Sequence, residues 1–380
     1  MARAPARKTP SPASDDLAPR YRHRYCNARS TQPRVFGPGL SADRVRAINS
    51  MGDKWVNGTE LSYYFFDKPT DGETVTAVDG TTSFVSWRGS NAEKAAVRQA
   101  FDRWATLGIG LKFKEVPTRE QAMVRVGFMA GNGSWSYVGR AILGIATDQR
   151  TMNFGWSVAA DPDTAVHEIG HTLGFEHEHQ NPFSGIVWDE EKVYAALAAP
   201  PNQWSRDKTF FNIIRKLDTS QVQGTTWDPD SVMHYPFEAG LIRSPTKYLT
   251  QPLQPAGGLS PRDVSYVKQL YPPQGPMTGF PELKLMESRP LNLNAGQQID
   301  LRIKPTRSRN YEIRTLGSAD TVIVLFEDVN GQLKYRGGDD DSGEDRNAYL
   351  KLRMARGSVY VLRLRLYYAD RAGETAVLWW

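Results

Sequence analysis

The chain has 380 residues, of which 40% are hydrophobic and 23% charged, and its formal net charge is +5 at pH 7. This composition is typical of a folded globular protein, and the length predicts two or three domains. The chain contains no apolar run of about 18 residues, so no membrane-spanning helix is predicted. The only cysteine is Cys26, which excludes a disulfide bond within the chain.

Residues 1–50 are rich in Arg, Pro and Ser and carry much of the excess positive charge. We interpret them as an N-terminal extension resembling a pro-segment, with a short helix at 42–48. A basic tail can also bind nucleic acid or an anionic membrane, but no nucleic-acid partner is predicted here. The first residues lack the apolar core of a secretory signal peptide. Either a signal is missing from this sequence, export uses another route, or the protein stays inside the cell.

The next hundred residues predict a mixed sheet and one long helix. Ser90 and Glu93 form the S-x-x-E pattern of a capping box, and apolar residues at helical spacing follow, which predicts an amphipathic helix at 91–106. Aromatic or alternating apolar residues indicate strands. The strand candidates are residues 61–66, 111–116, 124–129 and 151–156.

The following helix, predicted from about Asp163 to Phe175, carries the most informative motif of the chain, HExxHxxGxxH. His167 and His171 are four residues apart and therefore lie on one face of a helix. Two imidazoles in this arrangement can bind one tetrahedral zinc ion. Glu168 projects beside that ion, where a carboxylate can accept a proton from water.

Gly174 lets the chain leave this helix in a left-handed turn, and the turn brings back His177 as a third ligand. Three protein ligands leave the fourth position open to water. That arrangement is typical of catalytic zinc sites, whereas structural sites are closed by four protein ligands.

Three further helices are predicted downstream, at residues 189–197, 209–217 and 260–271. The Pro- and Gly-rich stretch 274–281 is a plausible linker. From residue 282 the pattern changes to short alternating strands separated by Gly, Asp and Asn turns, which predicts a β-sandwich over 282–380. Its strand candidates are residues 299–303, 311–315, 321–326, 348–352 and 360–366.

Residues 231–235 read SVMHY. A Met-containing turn after the long zinc motif is the metzincin pattern. Met233 would form a hydrophobic floor under the three imidazoles, a role compatible with ordinary core packing. The phenol of Tyr235 can reach the metal or a tetrahedral oxyanion. His234 is expected to point away from the metal. His179 could be a spare ligand, but we expect it to face solvent or form a hydrogen bond, because three ligands and water already complete the site.

These motifs resemble the astacin family of zinc endopeptidases. In that family the third histidine is followed by Glu, as in His177-Glu178, and the Met-turn reads S-x-M-H-Y, as at 231–235. The resemblance covers roughly residues 54–272. It implies an α+β fold, in which a two-lobed metzincin zinc-protease domain with a mixed twisted sheet and helices, at 51–273, precedes the all-β sandwich.

The stretch 133–139, GSWSYVG, looks like the family's upper edge strand, which pairs with an extended substrate. The resemblance therefore implies that Ser134, Trp135, Ser136 and Tyr137 bind substrate. The family usually has a cysteine where Ser134 stands, so packing must replace the missing disulfide bonds.

The resemblance also implies hydrolysis of internal peptide bonds. Glu168 would act as the general base, and the Tyr235 hydroxyl would hold the oxyanion. Cys26 raises a further hypothesis, because a thiolate is a good zinc ligand. It would occupy the fourth position and keep the protein latent until the N-terminal segment is removed. A free cysteine without this role and Asp53 as an alternative ligand remain open.

The last hundred residues resemble the prepeptidase C-terminal-type β-sandwich found behind many bacterial peptidases. The acidic turn at 339–345 is a candidate Ca²⁺ site, because hard carboxylate oxygens suit that ion. An alternative is that this domain binds matrix or carbohydrate through surface aromatic residues. Those residues are Tyr367, Tyr368, Trp379 and Trp380.

We therefore predict a monomeric zinc endopeptidase with one Zn²⁺ per chain that acts on protein or peptide substrates. The resemblance favours an extracellular location. The alternative is a catalytically silent binding or adhesion protein that keeps a metal site and works through the β-sandwich. The intact Glu168 and Tyr235 argue against that alternative.

Overall fold

A computed structural model describes residues 24–26, 54–55, 57–77, 79–217, 226–273, 279–340, 342–344, 347–367 and 372–380. The helix predicted at 42–48 and Asp53 lie outside these residues, as do most of the predicted N-terminal segment 1–50 and the linker residues 274–278. The division into domains at 51–273 and 282–380 stays a prediction.

A five-stranded mixed sheet, in the order β4-β1-β5-β7-β6, belongs to residues 54–273, which we call the catalytic region after their predicted role. The first four strands are parallel, whereas β6 pairs antiparallel to β7 and forms one edge. A polar hairpin, β2-β3, lies beside this sheet and was not predicted. The bounds are β1 Glu60–Phe65, β2 Gly72–Thr76, β3 Thr82–Ser86, β4 Lys112–Glu115, β5 Val124–Gly127, β6 Trp135–Ser136 and β7 Met152–Asn153.

Helix α1 spans Asn91–Ala105 and confirms the helix predicted at 91–106. The predicted capping box is present, with the Ser90 side chain accepting from the Glu93 backbone and the Glu93 carboxylate accepting from the Ser90 backbone. Its buried face includes Phe101 and Trp104, which pack against the sheet and against the next helix of the chain. The periodicity in the sequence thus gives the orientation of the helix as well as its position.

Helix α2 spans Pro162–Thr172, with Asp161 at its N-cap and a proline in the first turn. The predicted end at Phe175 was wrong by one turn, because the chain turns off at Gly174, where φ is +91°. The strand predicted at 151–156 is also shorter, since the observed strand spans only Met152–Asn153.

A second apolar core, which includes Trp188, Trp204 and Phe237, is surrounded by short helices and strands. The helix predicted at 189–197 is present, whereas the one predicted at 209–217 is a short helix followed by a π-helical turn at Phe210–Ile214. The bounds are β8 Val187–Trp188, α3 Glu190–Ala198, α4 Arg206–Thr209, β9 Ile242–Ser244 and α5 Pro261–Leu270. None of the helices in the described ranges is both long and apolar enough to span a membrane.

The predicted β-sandwich consists of two antiparallel four-stranded sheets, in the orders β10-β17-β12-β15 and β11-β16-β13-β14. Inward-facing residues of both sheets, among them Leu301, Ile323 and Trp379, form one core. The bounds are β10 Arg289–Leu293, β11 Gln298–Ile303, β12 Arg309–Leu316, β13 Thr321–Val329, β14 Gln332–Asp339, β15 Tyr349–Met354, β16 Val359–Leu366 and β17 Gly373–Trp379.

The outer face of the second sheet is covered by the catalytic region. Arg363, held by Asp300 through two contacts of 2.7 Å, donates to the Asn57 carbonyl. Arg365 donates to the Lys54 carbonyl at 2.8 Å. These arginines tie the sandwich to the start of the catalytic region, so the sandwich is packed against that region.

Candidate metal centre and active site

Helix α2 places His167, Glu168 and His171 at the bottom of the cleft, and all three side chains are buried. The Nδ1 atom of His167 lies 2.8 Å from the Val232 carbonyl, and that of His171 lies 2.7 Å from the Phe175 carbonyl. A carbonyl can only accept, so each Nδ1 carries the proton. Both Nε2 lone pairs are therefore free for a cation, as in zinc sites where the second ring nitrogen is fixed by such a bond.

The turn at Gly174 returns His177 to the same centre. Its Nε2 atom lies 3.0 Å from Nε2 of His171, and the two rings are nearly perpendicular. The three imidazoles of the motif thus converge, as the sequence predicted.

Cys26 of the N-terminal segment lies with them. Its sulfur, 3.7 Å from Nε2 of His171, completes a group of four potential ligand atoms that all lie within 4.8 Å of one another. We call Cys26, His167, His171 and His177 the metal-ligand cluster. In the parts of the chain that the structure describes, it is the only cluster of three or more His, Cys, Asp or Glu side chains placed to hold a metal ion.

The cluster fits zinc in three respects. Nε2 of His167 is buried and has no hydrogen-bond partner among the described residues, as expected of an atom that faces a cation. Burial lowers the pKa of His167 to about 4 and that of His171 to about 3, so both rings are neutral, which is the form that binds metals. A thiolate and an imidazole sharing a tetrahedral zinc lie roughly 3.6 Å apart, close to the separation of Cys26 and His171.

The carboxylate of Glu168 lies beside the cluster. Its Oε2 accepts from the Cys26 thiol at 3.5 Å, while its Oε1 is buried without a partner among the described residues. Burial raises the pKa of Glu168 to about 8, which shows how strongly this pocket favours the protonated carboxyl. A nearby cation favours the carboxylate instead, so this group is suited to exchange a proton beside a metal.

Tyr235 follows the Met-turn and points into the same site. Its hydroxyl donates to the Cys26 carbonyl at 3.1 Å and lies 2.5 Å from Nε2 of His177. Burial raises the pKa of this phenol well above its ordinary value, so the hydroxyl keeps its proton and remains a donor. The phenol is thus a hydrogen-bond donor placed next to the metal-ligand cluster.

The Met-turn is fixed by helix α5. Asp263 accepts from the Ser231 hydroxyl at 2.6 Å and from the Val232 amide at 2.8 Å. These bonds hold Met233 beneath α2, where its side chain approaches the backbone of Gly170. Gly170, the residue before His171, has no side chain, and the Met-turn packs against it at this position.

Replacing Gly170 by Ala is expected to destabilise the fold by about 1–3 kcal/mol, the usual cost of overpacking a core. A Cβ atom there would lie 2.4 Å from the Met233 sulfur, which is itself buried. Urea denaturation of the wild type and of Gly170→Ala measures the difference in their free energies of unfolding. Gly144→Ala is the matched control, because a Cβ at Gly144 would have nothing within 4 Å. Equal midpoints for both variants would show that the Met-turn can move away.

The predicted edge strand is present as β6, but its side chains are mostly turned inward. Ser134 accepts from the Gly155 amide, Trp135 donates to Asn132, and the Ser136 hydroxyl donates to the Tyr137 carbonyl. Ser134, Trp135 and Ser136 are buried. These residues are buried with their backbone included, and their substrate-binding role stays a prediction.

The remaining two histidines lie outside the metal-ligand cluster. His179 is buried and its Nε2 donates to the Asn212 carbonyl, which confirms the predicted hydrogen bond and excludes the solvent-facing alternative. Nδ1 of His234 donates to the Tyr235 carbonyl, and this ring is not part of the metal-ligand cluster, in agreement with the prediction that it points away from the metal.

Two residues in the cleft, Tyr25 and Arg24, were missed by the sequence analysis. Tyr25 is buried beside the metal-ligand cluster, and Arg24 lies over the Trp156 ring at 5.9 Å. A three-residue fragment of a basic, proline-rich segment has no periodicity, so nothing local in the sequence could have placed it here. If Cys26 is taken to bind the metal, its sequence neighbours Arg24 and Tyr25 must lie close to the site, and this was the one indication available.

The acidic turn of the sandwich gives no support to the calcium prediction. Asp340 forms a buried ion pair with Arg140 at 2.5 Å, and Asp339 accepts from Ser342 and from the Tyr349 amide. These carboxylates are thus used within the protein. Asp341 and Asp345 lie outside the described residues.

The aromatic residues proposed for matrix or carbohydrate binding are not a surface patch. Tyr367 and Trp379 are buried, the first in the face that meets the catalytic region and the second in the sandwich core. Trp380 lies under the guanidinium of Arg314, and Tyr368 lies outside the described residues. Two of the four residues are therefore packed, as aromatic strand residues commonly are.

The two-lobed fold, the three histidines on α2 and its exit turn, and the Met-turn beneath them define a metzincin-type metal centre. Residues 84–271 match the model of the peptidase family described as Astacin. The catalytic region of this chain belongs to the astacin family.

Among curated proteins, the chain is 28% identical over 156 residues to Protein SpAN of Strongylocentrotus purpuratus, covering 40% of this chain and 23% of that protein. It is 25% identical over 207 residues to Zinc metalloproteinase nas-8 of Steinernema carpocapsae, covering 51% and 44%. Among solved structures, myroilysin is 29% identical with a TM-score of 0.48, covering 58% of this chain and 96% of that one. The chain thus spans less than half of these curated relatives.

Proposed function

We propose that this chain is a zinc-dependent endopeptidase that hydrolyses internal peptide bonds of proteins. The observation that carries the proposal is the convergence of three histidine nitrogens beside the Glu168 carboxylate and the Tyr235 hydroxyl. The relatives include a zinc metalloproteinase by name. Zinc would be held by His167, His171 and His177.

When bound, zinc supplies a Lewis acid that polarises a carbonyl and lowers the pKa of water towards about 7. Side chains of this protein carry out the proton transfers and stabilise the intermediate. Glu168 accepts a proton from the attacking water and returns it to the departing amine, since it is the buried carboxylate next to the cluster. The Tyr235 hydroxyl donates to the oxygen of the tetrahedral intermediate, as it now donates to the Cys26 carbonyl.

Metal analysis together with casein digestion tests this function. We expect one zinc per chain and proteolysis that a chelator stops and added zinc restores. Retained zinc without any proteolysis, in a form whose cleft has been opened, would support the alternative of a silent binding protein.

We further propose that residues 24–26 keep the full-length protein latent. Three contacts support this. The Cys26 sulfur lies 3.7 Å from Nε2 of His171, so both atoms can bind the same metal ion. The Cys26 thiol donates to Glu168, and the Cys26 carbonyl accepts from Tyr235. One residue thus engages a metal ligand, the general base and the oxyanion donor at once. Removal of the segment would free all three groups.

The Cys26→Ala variant of the full-length protein is expected to be at least tenfold more active than the wild type. The substitution removes the sulfur that competes for the fourth position and leaves the three histidines in place. Casein digestion measures the gain, and zinc content should stay at one per chain. X-ray absorption at the zinc edge of the wild type should show a sulfur neighbour at about 2.3 Å. A shell of nitrogen and oxygen alone, with no gain in activity, would refute latency through Cys26.

The extracellular location and the monomeric state also stay proposals. An N-terminal latch supports an exported enzyme, because a protease that is closed when made does no damage before export. Size-exclusion chromatography with light scattering tests the monomer, and fractionation of the producing culture tests the location.

A further inference from the structure

The side chain of Tyr25 occupies an aromatic pocket next to the metal-ligand cluster. The residue is 2% exposed, and its ring stacks on Phe237 at 5.6 Å between centroids. The rings of Tyr235 and Trp204 lie at 5.1 and 6.3 Å and form the other walls. We call this set, with Pro236 and Asn202, the Tyr25 pocket.

The pocket also provides polar partners that match a tyrosine. The Tyr25 hydroxyl donates to the Pro236 carbonyl at 2.9 Å, and its backbone amide donates to the Asn202 side chain at 3.3 Å. A phenylalanine would fill the same walls but leave the carbonyl without this donor. Because a buried polar group left unpaired is costly, the pocket discriminates between side chains of nearly equal shape.

The residues that form the walls of the pocket are held in place by contacts with residues other than Tyr25. Phe237 exchanges two backbone hydrogen bonds of 2.8 Å with Leu253, and the Trp204 amide donates to the Leu197 carbonyl at 2.8 Å. Tyr235 is held at His177. Removal of residues 24–26 would therefore leave a formed aromatic slot that opens onto the catalytic centre.

We propose that the Tyr25 pocket is a substrate subsite that selects an aromatic side chain, tyrosine above phenylalanine. This inference rests on the proposed endopeptidase function. Residues 24–26 stand in for a substrate, because the Cys26 carbonyl accepts from the hydroxyl assigned to the oxyanion. Tyr25 is the adjacent residue, so the aromatic residue of a substrate occupies a fixed position within two residues of the cleaved bond.

The test uses the full-length chain with Tyr25→Ala and Cys26→Ala, which empties the pocket and the ligand position together. Its cleavage of a random peptide library, read by mass spectrometry, should show tyrosine enriched at least tenfold over leucine at one position, with phenylalanine between them. Cleavage without aromatic enrichment at any position near the bond would overturn the subsite. Absence of cleavage in zinc-loaded protein would instead count against the endopeptidase function.

A binding measurement gives a readout that does not depend on turnover. The zinc-loaded triple variant, which adds Glu168→Gln, is titrated by calorimetry with Arg-Tyr-Ser and Arg-Ala-Ser peptides blocked at both ends. The tyrosine peptide should bind at least tenfold more tightly. Equal affinities would overturn the proposal, whatever the library shows.

A pocket variant and a matched control complete the experiment. Phe237→Leu removes the stacked wall and should lower the preference for tyrosine at least fivefold in both measurements. Phe210→Leu is the control, because Phe210 is 47% exposed and lies outside the pocket. Thermal unfolding checks that both variants fold. An unchanged preference in folded Phe237→Leu would also overturn the proposal.

Discussion

Replacing Glu168 by Gln is expected to lower peptide hydrolysis by about 10²–10⁴-fold, the usual contribution of a positioned general base. The amide has nearly the shape of the carboxylate but cannot accept the proton of the attacking water. The measurement is kcat on a fluorogenic peptide, made in the Cys26→Ala background so that the cleft is open. Zinc content should not change, because Glu168 is not assigned as a ligand.

Glu176→Gln is the matched control, since this carboxylate belongs to the same motif but is exposed. It should retain activity within about twofold, as expected of an exposed side chain that is assigned neither to the metal nor to the proton transfer. If Glu168→Gln with a full complement of zinc cleaved the peptide as fast as its parent, another group would have to act as the base.

Replacing Tyr235 by Phe is expected to lower kcat by about 10²–10³-fold, the typical effect of losing one oxyanion donor. KM should change little, because the ring and its packing are retained and only the hydroxyl is lost. The hydroxyl now lies 3.1 Å from the Cys26 carbonyl, where it can reach a developing oxyanion. Steady-state kinetics in the Cys26→Ala background separate kcat from KM.

Tyr248→Phe provides the comparison for this variant. Tyr248 is buried in the same core but packs beside Trp227. Its replacement should leave kcat unchanged. A large loss in both variants would indicate that the lower core has been disturbed, whereas no loss in Tyr235→Phe would mean that its hydroxyl does not stabilise the transition state.

Features encoded within one turn or one strand could be read from the sequence. The capping box at Ser90 and Glu93 and the spacing of His167 and His171 each depend on residues three or four apart, and the structure has both. Alternating apolar residues likewise predicted most strands of the sandwich. The hairpin β2-β3 has few apolar residues and they do not alternate regularly, so this signal was absent there.

Contacts between distant parts of the chain could not be read in this way. The ion pair of Arg140 and Asp340 joins the catalytic region to the sandwich, and Tyr25 reaches Pro236 across 211 residues. No local pattern encodes either contact. Cys26 was a partial exception. The affinity of thiolates for zinc suggested that Cys26 lies at the histidines, although its distance from them along the sequence gave no indication of this.

The order of synthesis gives the position of Cys26 a consequence for the producing cell. Cys26 precedes His171 by 145 residues, so at about 5–20 residues per second it leaves the ribosome roughly 7–30 s earlier. The sulfur that we propose to be inhibitory is therefore already present when the three histidines come together. Under the proposed latency, a newly made molecule would have no interval in which it could digest neighbouring nascent chains.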